Sequence, residues 1–341
     1  MKLEISERLL VETLVDESIK KEVIDSGDYK IQKLTGDAST RRYYRIIFKD
    51  KAYVVCLDTP RNESDGEPDF VIVHRTLEKD NVRVPKILDC DIERGYYLEE
   101  DLGDQTFLKQ LSLCRSRAEE KLWYVKAVDL LIEMHKVDIS TDDQKVYCKR
   151  SFDQEKLMSE IQFTFTQFIE GLMNYKKEEY DQASLMTDFT DLCQKISSGP
   201  WVFTHRDYHS RNLMIKDEEL IVIDFQDARK GLPQYDLCSL LEDCYYETAA
   251  ENHDDLIKRY WNNFAKDLFH SEEEFMEQYR LMAVQRIFKA IGSFAYIYRL
   301  RGDIRYLRHI GRAFERLKDI LFELGQYPNL RQQLASLYYA Y

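Results

Sequence analysis

From His205 to Gln226 the chain reads HRDYHSRN, then LMIKDEELIVI, then DFQ, and this stretch constrains the protein more than any other. It sets one carboxylate at Asp207, an amide five residues later at Asn212, and a second carboxylate at Asp224. The middle run is an apolar segment broken by an acidic turn, the pattern of a β-hairpin. Phosphoryl transfer from Mg·ATP requires such a set: a carboxylate to orient the attacking hydroxyl and take its proton, and two oxygen ligands for Mg2+. Asp207 is the candidate base, and Asn212 and Asp224 are the candidate metal ligands. Asp224 ends a run of Ile and Val, so a strand backs it. That is a rigid mount for a Mg2+ ligand, an ion that takes few protein oxygens and keeps its waters.

Composition removes other function classes. At 341 residues and 44% hydrophobic, the chain can bury a large core in one domain or two lobes. Its formal net charge of −13 argues against nucleic acid or an anionic membrane as partner, since both need clustered Lys and Arg. Seven cysteines lie dispersed at 56, 90, 114, 148, 193, 238 and 244, without a CxxC pair. They fit reduced thiols better than disulfides or a zinc site. The acid-rich first residues lack the apolar core of a signal peptide, and no apolar run is long enough to span a bilayer. A cytoplasmic monomer is expected.

Along the chain, apolar spacing predicts a helix over about 5–24. Period-two stretches at 29–34, 41–48 and 52–57 predict three strands, followed by a helix over 69–79. Residues 82–88 contain Pro85 and suit an extended edge segment, and 95–99 reads as another strand. The acidic turn at 99–104 marks the boundary between a small lobe (1–102) and a larger one (103–341). Beyond it helices dominate, interrupted by the hairpin around 213–225 and ending in long amphipathic stretches at 274–298 and 304–324. A sheet-rich lobe before a helical lobe is an α+β architecture.

These features resemble the aminoglycoside phosphotransferase family, small-molecule kinases that share the bilobal protein-kinase-like fold. Within it, six segments resemble the anomeric sugar kinases that phosphorylate N-acetylmuramate and N-acetylglucosamine at C1 during cell-wall recycling. They are Gly36-Asp-Ala-Ser-Thr-Arg-Arg-Tyr-Tyr-Arg45, Leu57-Asp-Thr-Pro60, Leu98-Glu-Glu-Asp-Leu-Gly-Asp104, Tyr208-His-Ser-Arg-Asn-Leu-Met214, Tyr235-Asp-Leu-Cys-Ser-Leu-Leu241 and Gln285-Arg-Ile-Phe-Lys-Ala-Ile-Gly-Ser-Phe294. The resemblance spans about 30–310. It implies a small N-lobe sheet over ATP, a larger helical C-lobe, and a sugar as acceptor.

The residues then divide by task. Gly36, Ser39 and Thr40 occupy a turn whose backbone N–H groups could meet phosphates, Gly permitting close approach. The third strand, Ala52-Tyr-Val-Val-Cys-Leu57, offers no lysine for the α- and β-phosphates, so other cations must serve. By the two-residue period Arg41 and Arg45 share a face and lean toward the nucleotide, with Arg42 opposite. Glu99, where the chain enters the acidic turn, is assigned to the nucleotide side. Arg211 either neutralises the transferring phosphoryl group or pairs with Asp207 or Asp224. His205 and Arg206 are assigned structure rather than chemistry. Asp236 reads as an N-cap that, by resemblance, braces the catalytic loop. Gln226 stands where protein kinases carry Gly, which favours a constitutively formed site. Residues 152–175 suggest an aromatic-rich helix whose Phe163, Phe165 and Phe168 read as core rather than sugar platform. Glu160, Arg286 and Lys289 match recurrent positions of the sugar-kinase group and could face the substrate; either cation would suit a lactyl carboxylate. Two rivals stay open: an aminoglycoside or small-alcohol kinase, and a nucleotide-binding pseudokinase.

Overall fold

The computed structural model describes residues 2–34, 41–62, 66–140 and 145–339. The chain opens with α1 (Lys2–Lys20), β1 (Lys30–Leu34), β2 (Arg42–Ile47) and β3 (Ala52–Leu57). Next come α2 (Asp69–Lys79), β4 (Ile87–Asp91) and β5 (Tyr96–Glu100). The five strands form one antiparallel sheet in the order β1-β2-β3-β5-β4. Pro85, which cannot donate to a ladder, precedes the edge strand β4.

Strand period divides this sheet into two faces. Tyr44 and Ile46 of β2, Val55 and Leu57 of β3, and Tyr96 and Leu98 of β5 pack with Val11, Leu14 and Val15 of α1. Their alternates, Tyr43, Arg45, Val54 and Glu99, line a cavity on the other side. Arg42 follows the outer set and pairs with Glu7 of α1 at 2.6 Å. The expected division of the arginines is therefore the observed one.

The remainder is mainly helical: α3 (Phe107–Leu113), α4 (Arg117–His135), α5 (Val146–Lys149), α6 (Gln154–Thr164) and α7 (Gln182–Ile196). Four short strands follow, β6 (Val202–Thr204), β7 (Leu213–Lys216), β8 (Glu219–Val222) and β9 (Arg229–Gly231). The chain ends in α8 (Gln234–Leu241), α9 (Ala250–Asn263), α10 (Glu272–Arg301), α11 (Leu307–Leu324) and α12 (Pro328–Tyr339). The α+β expectation holds. No helix among the described residues is long and apolar enough to cross a membrane.

Two local expectations change. The helix over 304–324 begins as a 3-10 turn, Ile304–Tyr306, before α11. The aromatic helix ends at Thr164 and continues as a π-helical segment, Phe165–Glu170. Phe165 and Phe168 are core, but Phe163 is 37% exposed and meets Tyr296 edge-on. Residues two apart on a helix point to different sides, so the three rings could not share one face.

Helix α10 lies against α6 because residue 292 is glycine. A Cβ there would fall 2.7 Å from Thr164 Cα. This contact seats α10 so that Arg286 and Lys289, on the preceding turns, reach the cavity wall.

One buried knot ties these helices together. Glu242, at the end of α8, accepts from Arg316 of α11 (2.7 and 3.0 Å), from Tyr279 of α10 (3.0 Å) and bonds His253 of α9 (2.9 Å). Burial pushes its carboxyl up, but the bonds and charges of His253 and Arg316 prevail and hold it at about 2. Its contribution is therefore complete above the ordinary carboxylate range, near pH 4.5, and lost as pH falls through about 2. Removing one partner from a buried ionic set costs about 3–5 kcal/mol. Glu242→Gln should lower stability by that order in urea titrations near neutral pH, with a gap to the parent protein that closes toward pH 2. Equal midpoints at neutral pH would refute this.

Candidate active site

The loop after β6 is shaped from beneath by one carboxylate. Asp236 accepts from the backbone N–H groups of His205 (2.6 Å) and Arg206 (3.0 Å). It stands in the first turn of α8, whose N-cap position is Pro233, so it braces the loop instead of capping the helix. The bracing holds Arg206 at φ +85°, a region costly for a residue with a Cβ. His205 is buried; its Nε2 donates to Ile223 O at 2.9 Å and its Nδ1 accepts from Asp207 N at 3.2 Å. This places the imidazole under the loop, as expected.

The hairpin closes the site. β7 and β8 pair from Leu213↔Val222 to Lys216↔Glu219, turning through Asp217 and Glu218, both at positive φ as a tight hairpin turn requires. One residue beyond each end lie Asn212 and Ile223, joined by an N–H···O bond of 3.0 Å. Asp224 follows at φ +65°. Its Oδ2 is 3.5 Å from Asn212 Nδ2, while Asn212 Nδ2 also donates to Asp207 O at 3.0 Å. The three residues singled out from sequence thus converge. Asp224 opens onto the cavity, yet the surrounding walls push its carboxyl up, and the charge of Asp207 adds to this. A carboxylate beside an amide whose nitrogen is already engaged suits a small hard cation. The residues present fit Mg2+.

Asp207 is set among cations. Lys289 Nζ lies 2.9 Å from its Oδ1, Arg286 Nη1 3.7 Å and Arg206 Nε 4.0 Å from its carboxylate. Burial would push the acid up, but Lys289, Arg206 and Arg286 outweigh it and hold Asp207 well below the usual carboxylate range. Lys289 is itself pulled down by burial. Arg286 and Lys289 do line the cavity, and Asp207 is the anion they face. Arg286 also stacks on Tyr235 at 4.8 Å. Glu160 differs from expectation: it sits behind the wall, nearly buried, accepting from Gln285 (3.1 Å) and Tyr235 (3.3 Å). There it lies near Lys156 and Arg206 and outside the cavity lining, its side chain covered by the helix packing of α6 on α10.

On the sheet side the two arginines have different surroundings. Arg41 bonds Asp58 (2.9 Å) and Gln226 (3.1 Å) and lies over the Phe70 ring at 4.7 Å. Gln226 in turn donates to Asp224 at 2.8 Å. A relay therefore joins the start of β2 to the second acid. Arg45 instead grips the acidic turn through Asp101 (2.8 Å), Asp104 (2.9 Å) and Gly103 O (3.1 Å). Gly36, Ser39 and Thr40 lie outside the described residues. Arg211 packs over Tyr245 at 4.8 Å and approaches Tyr306 OH at 3.5 Å.

Asp207, Arg211, Asn212, Asp224, Arg286 and Lys289, with Arg41 and Arg45 from the sheet side, line one cavity of about 660 Å³ between the sheet and the helices. Several lining residues were given no direct role at the cavity by the sequence reading. Gln226 flanks Arg41, whose other partner Asp58 stands outside the lining; Arg206, assigned to structure, contributes a guanidinium; His209, Tyr245 and Tyr306 form the far wall. Burial drives His209 down to about 3, so its ring is neutral. For His209 the hint was its place inside the catalytic loop.

Residues 30–275 match the APH family, described as a phosphotransferase enzyme family. The chain belongs to that family, and it is a phosphotransferase. Among curated proteins it is 31% identical to an N-acetylmuramate/N-acetylglucosamine kinase of Neisseria meningitidis serogroup B, over 92% of each chain. It is 33% identical to the protein of the same name from Pseudomonas aeruginosa, covering 89% of this chain and 87% of that one. Among solved structures it superposes on the choline kinase of Streptococcus pneumoniae with a TM-score of 0.59 at 16% identity, covering 91% and 99% of the two chains. That likeness establishes the kinase-like fold.

Proposed function

We propose that this protein is an ATP- and Mg2+-dependent kinase that phosphorylates the anomeric hydroxyl of N-acetylmuramate and N-acetylglucosamine, amino sugars released in cell-wall recycling. The observation that carries the reading is the meeting of Asp207, Asn212 and Asp224 at one cavity, with Lys289 against the first acid. The names of the relatives support the sugar. An enzyme of this kind belongs in the cytoplasm, with ATP.

In the reaction the anomeric oxygen bonds to the γ-phosphorus, the bond from γ-phosphorus to the bridging oxygen breaks, and ADP leaves. Asp207 orients the hydroxyl and takes its proton. Held low by three cations, it is a weak base, which suits a loose transition state needing little proton transfer before the phosphoryl group departs. It also suits an anomeric hydroxyl, made more acidic than an ordinary alcohol by the ring oxygen. Asn212 and Asp224 would hold Mg2+. Bound there, the ion supplies neutralisation of phosphate charge.

Arg41 takes over from the absent strand lysine. It enters from the neighbouring strand, is oriented by Asp58, Gln226 and Phe70, and its charge reaches Asp224. Loss of a charge-assisted contact of this kind costs about 1.5–3 kcal/mol. Arg41→Ala should therefore raise the KM for ATP by roughly 10–100-fold, with little change in the KM for sugar. An unchanged KM for ATP would remove Arg41 from the role.

The acceptor is tested with purified protein, Mg·ATP and a panel of amino sugars with free or methyl-blocked C1 hydroxyls, alongside an aminoglycoside. Turnover confined to free C1 hydroxyls is the expected result. Phosphorylation of the blocked sugars, or of the aminoglycoside alone, would overturn it. ATP binding with no transfer to any member would favour the pseudokinase.

A further inference from the structure

Lys289 is a buried cation with more donors than partners. Its side chain is 13% exposed and lines the cavity, and its ammonium carries three N–H groups. Among the described residues its Nζ has one hydrogen-bond partner, Asp207 Oδ1, at 2.9 Å. The other two cations beside Asp207 are also held elsewhere. Arg206 bonds Asp227 at 2.9 Å, and Arg286 bonds Tyr235 OH at 3.3 Å while lying over that ring. A buried donor without an acceptor is costly, so the remaining N–H groups of Lys289 point to oxygens that arrive with a ligand. An ammonium on a four-carbon stem is also the cation best able to change partners, being a point charge that needs no fixed plane.

The reaction itself supplies those oxygens. Before transfer, Lys289 faces the negative charge of Asp207. Once Asp207 has taken the proton of the acceptor hydroxyl, that charge is gone, and the acceptor carries a phosphoryl group with charge spread over its oxygens. Hydroxyl and ammonium share one carboxylate, so the new phosphate forms beside Nζ. The negative charge thus moves from one neighbour of Lys289 to another. A cation placed this way holds the transferring group more strongly than the bound substrate. That is the condition for a gain in rate rather than in binding.

We propose that Lys289 is a catalytic residue, its ammonium passing from Asp207 to the phosphoryl oxygens as the new bond to the acceptor forms. The bonds made and broken are those given above: the anomeric oxygen joins the γ-phosphorus, the bridging bond breaks toward ADP, and the hydroxyl proton ends on Asp207. Lys289 neither gains nor loses a proton. The inference rests on the reading of Asp207 as the base toward a sugar hydroxyl. It makes α10 the source of a cation on the acceptor side, complementing Arg41 on the sheet side.

The test pairs kinetics with binding, on the parent protein, Lys289→Met and Lys289→Arg. Lys289→Met should lower kcat by about 10²–10³-fold, the usual worth of one donor aimed at developing charge, with little change in the KM for sugar. In calorimetry without nucleotide it should bind N-acetylglucosamine as the parent does, but N-acetylglucosamine 1-phosphate about 10–100-fold more weakly. Lys289→Arg, which keeps the charge, should recover part of both losses. Lost turnover with parent affinity for both ligands would show Lys289 only holding Asp207 in place, and would overturn the proposal. Unchanged kcat in Lys289→Met, or equal weakening of the two ligands, would overturn it too. Failure of the parent protein to phosphorylate any sugar with a free C1 hydroxyl is told apart from these, since it removes the acceptor reading itself and this inference with it.

Discussion

Exchange of Asp207 for asparagine should lower kcat by about 10²–10⁴-fold, the usual worth of a positioned acid–base group. The KM for ATP should shift far less. Asparagine preserves shape, so the loop held by Asp236 has no reason to move. What disappears is the carboxylate between the incoming hydroxyl and Lys289, which stands 2.9 Å away. The same cations set the pH behaviour of the parent enzyme. With its acid well below the usual carboxylate range, Asp207 stays ionised through mildly acidic pH. No acid limb of kcat between pH 5 and 7 should therefore belong to it. Near-normal turnover in Asp207→Asn would refute the assignment.

Asp224→Asn should be the more damaging for metal use. Disturbing the outer partners of metal ligands already costs about 10–100-fold in affinity or activity. Losing the carboxylate itself should cost more than about 100-fold in turnover at ordinary Mg2+, by the same scale. The two variants separate by titration. Raising Mg2+ should restore part of the activity of Asp224→Asn and none of that of Asp207→Asn. An Mg2+ dependence equal to that of the parent protein would take Asp224 out of the metal site. The substitution also breaks the relay from Gln226, whose Nε2 bonds Asp224 at 2.8 Å. A Gln226→Ala control isolates that contribution.

How far these residues were legible follows from what each depends on. Asp207, Asn212 and Asp224 could be read because a hairpin of fixed length brings its ends together, a local constraint visible as alternation and a turn. The split of Arg41 and Arg45 from Arg42 was legible for a similar reason, the two-residue period of β2. What that period cannot reveal is the partner across space. Arg45 turns toward the cavity as expected, yet Asp101 and Asp104 take its charge, and that depends on where the acidic turn folds back. Glu160 lies behind the wall because Gly292 admits α6 against α10, a contact between positions far apart in the chain. Asp236 read as a cap because caps are local; that it braces a loop thirty residues earlier came from the resemblance and not from spacing. The relay from Arg41 through Gln226 to Asp224 likewise exists only once the sheet is placed over the hairpin.

The most direct measurement is phosphorus NMR of the product formed from N-acetylmuramate or N-acetylglucosamine with Mg·ATP and the purified protein. The new phosphorus resonance should couple to the anomeric proton of the sugar, with ADP appearing in equal amount. A resonance coupled to the C6 protons, or ADP accompanied only by inorganic phosphate, would contradict the account.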